Sequence, residues 1–143
     1  MNYNLELYRQ MLISLKRGNT RGVFSKAKPV LLLSIIDNVK SFEENKILWG
    51  DINISSSYSA IYQQIEDTKP TPIWKPFFYL KSEPFYELIW TENPPEKDFK
   101  FPSGRMLSSY LAYAKLDDEL WELLQDEGNR EYLKDVIIKT YLS

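Results

Sequence analysis

The sequence contains neither cysteine nor histidine. Without cysteine, a disulfide and a thiolate metal site are both excluded, and without histidine there is no imidazole base, Ser-His-Asp triad or histidine-ligated metal. Any catalysis would have to use carboxylates, lysine or tyrosine. These absences remove the residue sets of most hydrolases and favour a protein that binds over one that catalyses.

Long apolar runs are also missing, since no segment approaches the roughly 20 residues that cross a bilayer. The first residues lack the basic-then-apolar pattern of a signal peptide. The length of 143 residues, with 43% hydrophobic and 27% charged residues, predicts one domain over residues 1–143 with an ordinary core. We therefore expect a cytoplasmic protein without a membrane segment.

Acidic residues are absent between Glu6 and Asp37, although the net charge of the chain is −2. The first fifty residues hold eight basic and four acidic side chains, whereas the ranges 51–100 and 101–143 each hold five basic and eight acidic ones. Salt screens distant charges, so a local basic face can still bind phosphates on an acidic protein. The basic residues of the acid-free interval are Arg9, Lys16, Arg17, Arg21, Lys26 and Lys28.

The hydrophobic periodicity predicts an α+β fold, a mostly helical single domain with a small antiparallel β-hairpin or sheet. The second helix is apolar nearly all round, so we expect it to be the buried centre. Predicted helices cover 3–17, a segment opening at Ser25, 55–66, 103–115, a short segment after Asp117, and 129–142. Predicted strands cover 46–49 and a hairpin of 77–81 with 85–90, and 91–102 is predicted to be a loop.

A proline-stiffened stretch at 69–80 stands out in the middle of the chain. Pro70, Pro72 and Pro76 fix φ and lack backbone donors, so the pattern predicts an extended loop that enters an aromatic strand. Trp74 and Lys75 would then lie at the lip of a sheet. We interpret the stretch as a recognition surface with an apolar floor and a positive rim; a core strand with a proline-rich lead-in is the alternative.

Three basic segments are candidate anion contacts. Helix N-termini present free N–H groups and the positive end of the helix dipole, which suits a phosphate. A solvated loop or an ordinary helix start would give the same pattern. The segments are the turn with Lys16, Arg17 and Arg21, the second helix start with Lys26 and Lys28, and the corner Ser103-Gly104-Arg105.

The carboxylates do not form a catalytic pattern. Glu83 and Glu87 flank the predicted hairpin, and Asp117 opens an acidic run at a predicted helix start, where such residues act as capping charges. The Glu-x-Lys sequence that a carboxylate-lysine nuclease needs on a strand, with an acidic residue before it, does not occur after the first strand of the predicted hairpin. We therefore predict no catalytic residue, no metal and no cofactor.

Several motifs, in order along most of the chain, carry a resemblance. Residues 28–37 (Lys-Pro-Val-Leu-Leu-Leu-Ser-Ile-Ile-Asp) resemble a "His-Lys-Pro-Leu-Leu-Leu-Leu-x-x-Leu-Asp" helix, and 76–80 with 84–90 resemble a "Tyr-Pro-Phe-x-x-Leu … Trp" hairpin. Residues 111–120, followed by Leu123 and Leu124, are similar to the closing helices of the same proteins. These are the sulfur-binding domains of McrA-type, phosphorothioation-dependent HNH restriction endonucleases.

The resemblance implies a non-catalytic module, associated with restriction and phage defence, that binds DNA carrying sulfur in place of a non-bridging phosphate oxygen. The sulfur would lie in an apolar cup with a basic rim, built around Pro76. The HNH nuclease domain is absent from this sequence. The implied contacts to the modified phosphate are Trp74, Lys75, Pro76 and Tyr79, and those to neighbouring phosphates are Arg21, Lys26, Lys28, Ser103, Gly104 and Arg105.

The sequence differs from the family pattern at Ala27, Lys75 and Tyr79, which replace a histidine, a tyrosine and a small residue. These differences would add bulk or charge to the cup. The implied partners are DNA, phosphorothioated or ordinary, and a nuclease domain or partner protein. The alternatives are a protein-interaction module that regulates a defence system without binding DNA, and an enzyme that uses tyrosine, lysine and carboxylates.

Overall fold

Helices dominate the fold and two small antiparallel sheets complete it, which confirms the predicted α+β class. The computed structural model describes residues 3–20, 22–65 and 69–143. None of the helices in these ranges combines the length and the hydropathy that a bilayer crossing requires. The helices are α1 (Tyr3–Leu12), α2 (Ala27–Asn38), α3 (Ile52–Ile65), α4 (Trp74–Tyr79), α5 (Glu96–Lys100), α6 (Gly104–Tyr110), α7 (Asp118–Leu123) and α8 (Glu127–Ile137). The strands are β1 (Asn19–Thr20), β2 (Val23–Phe24), β3 (Tyr86–Trp90) and β4 (Leu111–Leu116).

Helix α2 is the centre of the core, as the sequence predicts. Its residues from Ala27 to Ile36 are all buried, and it packs against α3, α4 and α8. The ammonium of Lys134 on α8 lies 2.6 Å from a carboxylate oxygen of Asp37 at the far end of α2. Because nearly every face of α2 meets another element, its sequence shows no polar stripe.

The larger sheet pairs two segments that are distant in sequence. Strands β3 and β4 are antiparallel, with Tyr86 opposite Leu116 and a bulge between Ile89 and Trp90. Ile47 forms an isolated bridge to Ala114 on β4. The strand predicted at 46–49 is therefore reduced to a single bridging residue.

The hairpin predicted from 77–81 and 85–90 is wrong in its first half. Residues Trp74–Tyr79 form α4, and Leu80–Ser82 continue it as a short 3-10 turn. Pro76 lies in the first turn of α4, where a missing N–H group has little cost. The buried Tyr86 hydroxyl donates a 2.6 Å hydrogen bond to the carbonyl of Phe77, which ties α4 to β3.

The other predicted boundaries also differ from the structure. The helix predicted over 103–115 ends at Tyr110 and becomes β4, because Leu111–Leu116 pairs with β3. The predicted loop at 91–102 contains α5. Helix α1 ends at Leu12, five residues earlier than predicted.

Candidate nucleic-acid interface

An open hollow with a volume of about 670 Å³ lies beside the start of α2. Its walls come from the loop after α1, the β2–α2 connection, and the segment from Lys69 to Ser82, with Tyr62 added from α3. None of the lining side chains in the described part of the chain is acidic. Six of them are basic: Lys16, Arg17, Lys26, Lys28, Lys69 and Lys75.

Lys28 is held in a buried ion pair at the base of the hollow. Its ammonium lies 2.9 Å from a carboxylate oxygen of Glu83, and the two side chains are only 11% and 2% exposed. It also donates to the hydroxyl of Ser82 at 3.1 Å. The same Glu83 oxygen accepts the backbone N–H of Lys16 at 3.0 Å. Lys28 was predicted as a phosphate contact, but its charge is already compensated, so its main role here is to join three walls.

Arg17 is fixed between two aromatic rings. Its guanidinium lies 5.0 Å from the ring centroid of Phe24 and 4.6 Å from that of Tyr141. One guanidinium nitrogen donates a long 3.4 Å hydrogen bond to the carbonyl of Ser25. Tyr141 is itself anchored, because its hydroxyl accepts the N–H of Leu15 at 3.0 Å and donates to a carbonyl in α1. Cation–π contact of this kind leaves the guanidinium edge able to donate to an anion.

At the start of α2, an anion would meet positive charge but few free backbone N–H groups. Ser25 was predicted as its cap, and the hydroxyl of Ser25 accepts the Ala27 N–H at 3.2 Å, although Lys26 is the residue at the cap position. The N–H of Val30 bonds to the Lys26 carbonyl, and Pro29 has none to give. An anion here would therefore meet the helix dipole and lysine side chains, with few N–H groups left for it.

Two tyrosines of α3 hold the wall that carries Lys69. The Tyr58 hydroxyl donates a 2.6 Å hydrogen bond to the carbonyl of Thr71, and the Tyr62 hydroxyl lies 3.1 Å from the hydroxyl of Thr71. Burial raises the pKa of Tyr58 well above its ordinary value, so this phenol remains a donor at neutral pH. The ordered wall keeps the exposed side chain of Lys69 at the hollow.

The predicted contacts around Pro76 divide between two faces of α4. Lys75, Pro76 and Tyr79 line the hollow, and Pro76 is a buried part of its floor. Trp74 does not line it. A methyl group built on Gly104 would meet the Trp74 ring at 3.8 Å, so these two residues pack together.

The predicted Ser103-Gly104-Arg105 corner lies outside the hollow. The hydroxyl of Ser103 accepts the Met106 N–H at 3.1 Å and caps α6. Gly104 packs against Trp49 and Trp74, and Arg105 is exposed. Of the three basic segments predicted as anion contacts, the turn after α1 and the start of α2 line the hollow, whereas this corner lies elsewhere. Arg21, the remaining predicted contact, lies outside the described residues.

Sequence reasoning gave no binding role to Gly18, Phe24, Tyr62 and Ser82, and it included Lys69 and Thr71 only as part of the 69–80 stretch. Lys69 was within the proline-rich stretch, and its charge beside Pro70 was the only local signal for it. Tyr62 was assigned to a helix without a role, because its position depends on how α3 packs against residues 69–72. In the described ranges no group of three or more acidic side chains could hold a metal ion.

The hollow has the chemistry to bind an anion that also carries an apolar or aromatic part. Basic side chains surround it, while Pro76, Ala27 and the rings of Phe24 and Tyr79 supply apolar surface. Comparison with known proteins adds no assignment, since the sequence matches no family model and no curated protein.

Proposed function

We propose that this chain is a non-catalytic DNA-binding module whose hollow holds a backbone phosphate. The observation that carries the proposal is the convergence of basic side chains from separate segments on one open hollow with no acidic lining residue in the described ranges. They are Lys16, Arg17, Lys26, Lys69 and Lys75, beside Lys28, whose charge Glu83 compensates. Lysine and arginine are the residues that neutralise DNA phosphates. A concave wall of one charge sign concentrates potential locally, so the net charge of −2 does not prevent binding.

We also propose that the module is related to the phosphorothioate readers that its motifs resemble. Sulfur is less strongly hydrated than a phosphate oxygen and loses less on contact with apolar surface. Ala27, Pro76 and Tyr79 supply such surface next to the cations. Lys75, where the family pattern has a tyrosine, adds charge to the same wall.

The test is a salt titration of binding with two duplexes of one sequence, one phosphorothioated at a single position and one unmodified. Four phosphate contacts would give a slope of log affinity against log salt of about −4, which is a loss on the order of 100-fold between 50 and 200 mM salt. We expect tighter binding of the modified duplex. Equal affinity for the two duplexes would refute recognition of sulfur. If neither duplex shows a salt slope, DNA binding is refuted.

Lysine variants connect the binding to the hollow. Lys75→Ala and Lys69→Ala should each reduce the magnitude of the salt slope by about one. Lys40→Ala is the matched control, because Lys40 is exposed near the opposite end of α2 and does not line the hollow. An equal effect of the control would mean that the binding is diffuse.

The second candidate is a protein-interaction module. Leu48 and Ile52 are exposed at 56% and 75%, and they flank a turn in which the Asp51 N–H bonds to the Leu48 carbonyl. A cluster of exposed apolar side chains is typical of a contact surface. This account becomes the better one if the salt titration detects no binding to either duplex.

A further inference from the structure

We propose that the hollow receives a nucleobase together with its phosphate, so that the favoured ligand is a nucleotide displaced from helical stacking. This inference rests on the proposed DNA binding and specifies the part of the DNA that enters the site. Three features of the hollow support nucleotide entry: its size, its aromatic walls and its hydroxyl groups.

The size of the hollow exceeds what a phosphate contact requires. Its volume of about 670 Å³ lies within the range of roughly 300–1,000 Å³ that encloses whole small ligands. Proteins that only position a duplex meet its phosphates with surface side chains, without enclosing them. A nucleotide, with its ring, sugar and phosphate, would use the volume of the hollow as well as its charge.

Two aromatic rings with exposed surface form part of the walls. Phe24 is 49% exposed and Tyr79 is 47% exposed, and they come from β2 and the end of α4. Both rings are anchored, since Arg17 covers one side of Phe24 and Phe78 contacts Tyr79 edge-on with ring centroids 5.0 Å apart. Anchored rings beside cations are the arrangement on which unstacked bases bind.

Hydroxyl groups complete the lining. The hydroxyls of Tyr62 and Thr71 bond to each other at 3.1 Å, and the Ser82 hydroxyl donates to the Tyr79 carbonyl at 3.0 Å. A hydroxyl has one donor and two acceptor lone pairs, so acceptor capacity remains at each site. The exocyclic amino group or ring N–H of a base would find these acceptors, whereas a phosphate has no use for them.

The energetic consequence is a ranking of DNA ligands. Displacing a base from a matched duplex costs stacking and pairing energy, whereas a mismatched or single-stranded nucleotide costs less. We therefore expect the single strand and the mismatched duplex to bind more tightly than the matched duplex. The mismatch should improve binding about tenfold.

The experiment measures fluorescence anisotropy for three ligands of one sequence at one salt concentration: a matched duplex, a duplex with one central mismatch, and the single strand. A 2-aminopurine used as one of the two mismatched bases reports whether that base stacks on the protein. Phe24→Leu and Tyr79→Leu should each remove the advantage of the mismatched and single-stranded ligands over the matched duplex, whose own affinity falls by a smaller factor because both rings also line the hollow that holds its phosphate. Phe101→Leu is the control, because Phe101 is 76% exposed and does not line the hollow.

The outcomes separate this inference from the proposed function. Equal affinity for the three ligands, with a clear salt slope, would overturn nucleotide entry and leave DNA binding standing. A uniform loss for all three ligands in the Phe24 and Tyr79 variants would also overturn it, provided that their urea unfolding matches the parent. No binding to any of the three would overturn both proposals.

Discussion

The buried pair between Lys28 and Glu83 gives the sharpest prediction for stability. Replacing Glu83 by glutamine keeps the shape of the side chain and an acceptor for the Lys16 N–H, but it removes the charge that faces the Lys28 ammonium at 2.9 Å. The lysine would then remain charged in a place where water hardly reaches it. We expect Glu83→Gln to lower the free energy of unfolding by about 3–5 kcal/mol.

The magnitude follows from the geometry of the pair. At 2.9 Å and an effective dielectric constant of about 20, the attraction is ~6 kcal/mol, against which the desolvation of both ions must be set. Lys28→Met should cost a similar amount, because it leaves the Glu83 carboxylate buried with only neutral donors. The double variant should cost much less than the sum of the two, with a coupling of at least about 2 kcal/mol.

The assay is urea unfolding followed by fluorescence of the four tryptophans. A loss of 3 kcal/mol would move the midpoint down by about 1–2 M urea at an unchanged slope. Lys134→Met is a useful comparison, because Lys134 also lies close to a carboxylate but is more exposed, and the cost there should be about 1 kcal/mol or less. A cost below 1 kcal/mol for Glu83→Gln, or simple additivity in the double variant, would refute the reasoning.

Three further predictions concern tyrosines and a helix cap. Burial raises the pKa of Tyr86 well above its ordinary value, so the contribution of this tyrosine to stability is complete below pH 10, where the unfolded chain begins to ionise. Above pH 10 the contribution declines by about 1.4 kcal/mol per pH unit. Tyr86→Phe should therefore flatten the decline in urea midpoint between pH 10 and 11, and an unchanged slope would contradict this. Tyr58→Phe removes the 2.6 Å bond to the carbonyl of Thr71 and should cost about 1 kcal/mol in thermal unfolding, whereas a neutral result would mean that water replaces it. Ser103→Ala removes the cap of α6 and should cost about 1 kcal/mol without changing DNA affinity; a matching loss of affinity would return Ser103 to the interface.

The sequence correctly predicts elements in which burial is similar for every residue of the segment. Helix α2 is buried on almost every side, so its apolar run from Val30 to Ile36, interrupted only by Ser34, is sufficient to predict it. The sequence predicts a strand at 77–81 because an aromatic run fits both a buried strand and a short buried helix, and Pro76 is compatible with the first turn of a helix. Strand β4 was missed because its pairing with β3 depends on a partner more than twenty residues away.

The candidate site was predictable where charge and chain position coincide. Lys26 and Lys28 start the helix that bounds the hollow, and Lys75 follows the proline stretch that forms another wall. The Ser103-Gly104-Arg105 corner has the composition of a phosphate turn, but its glycine serves the packing of two tryptophans. Whether a small residue accommodates a ligand or a neighbouring ring depends on tertiary packing, which local sequence does not specify.

The cation–π contact between Arg17 and Tyr141 links the hollow to the turn that follows α8. The Tyr141 hydroxyl, whose ring contacts this guanidinium, accepts the N–H of Leu15 and donates to the carbonyl of Leu12, which are 126 and 129 residues away in sequence. Trimming or tagging the C-terminus at Tyr141 would thus loosen a recognition surface that sequence order places at the other end of the molecule. Fusion partners are best attached with this turn left intact.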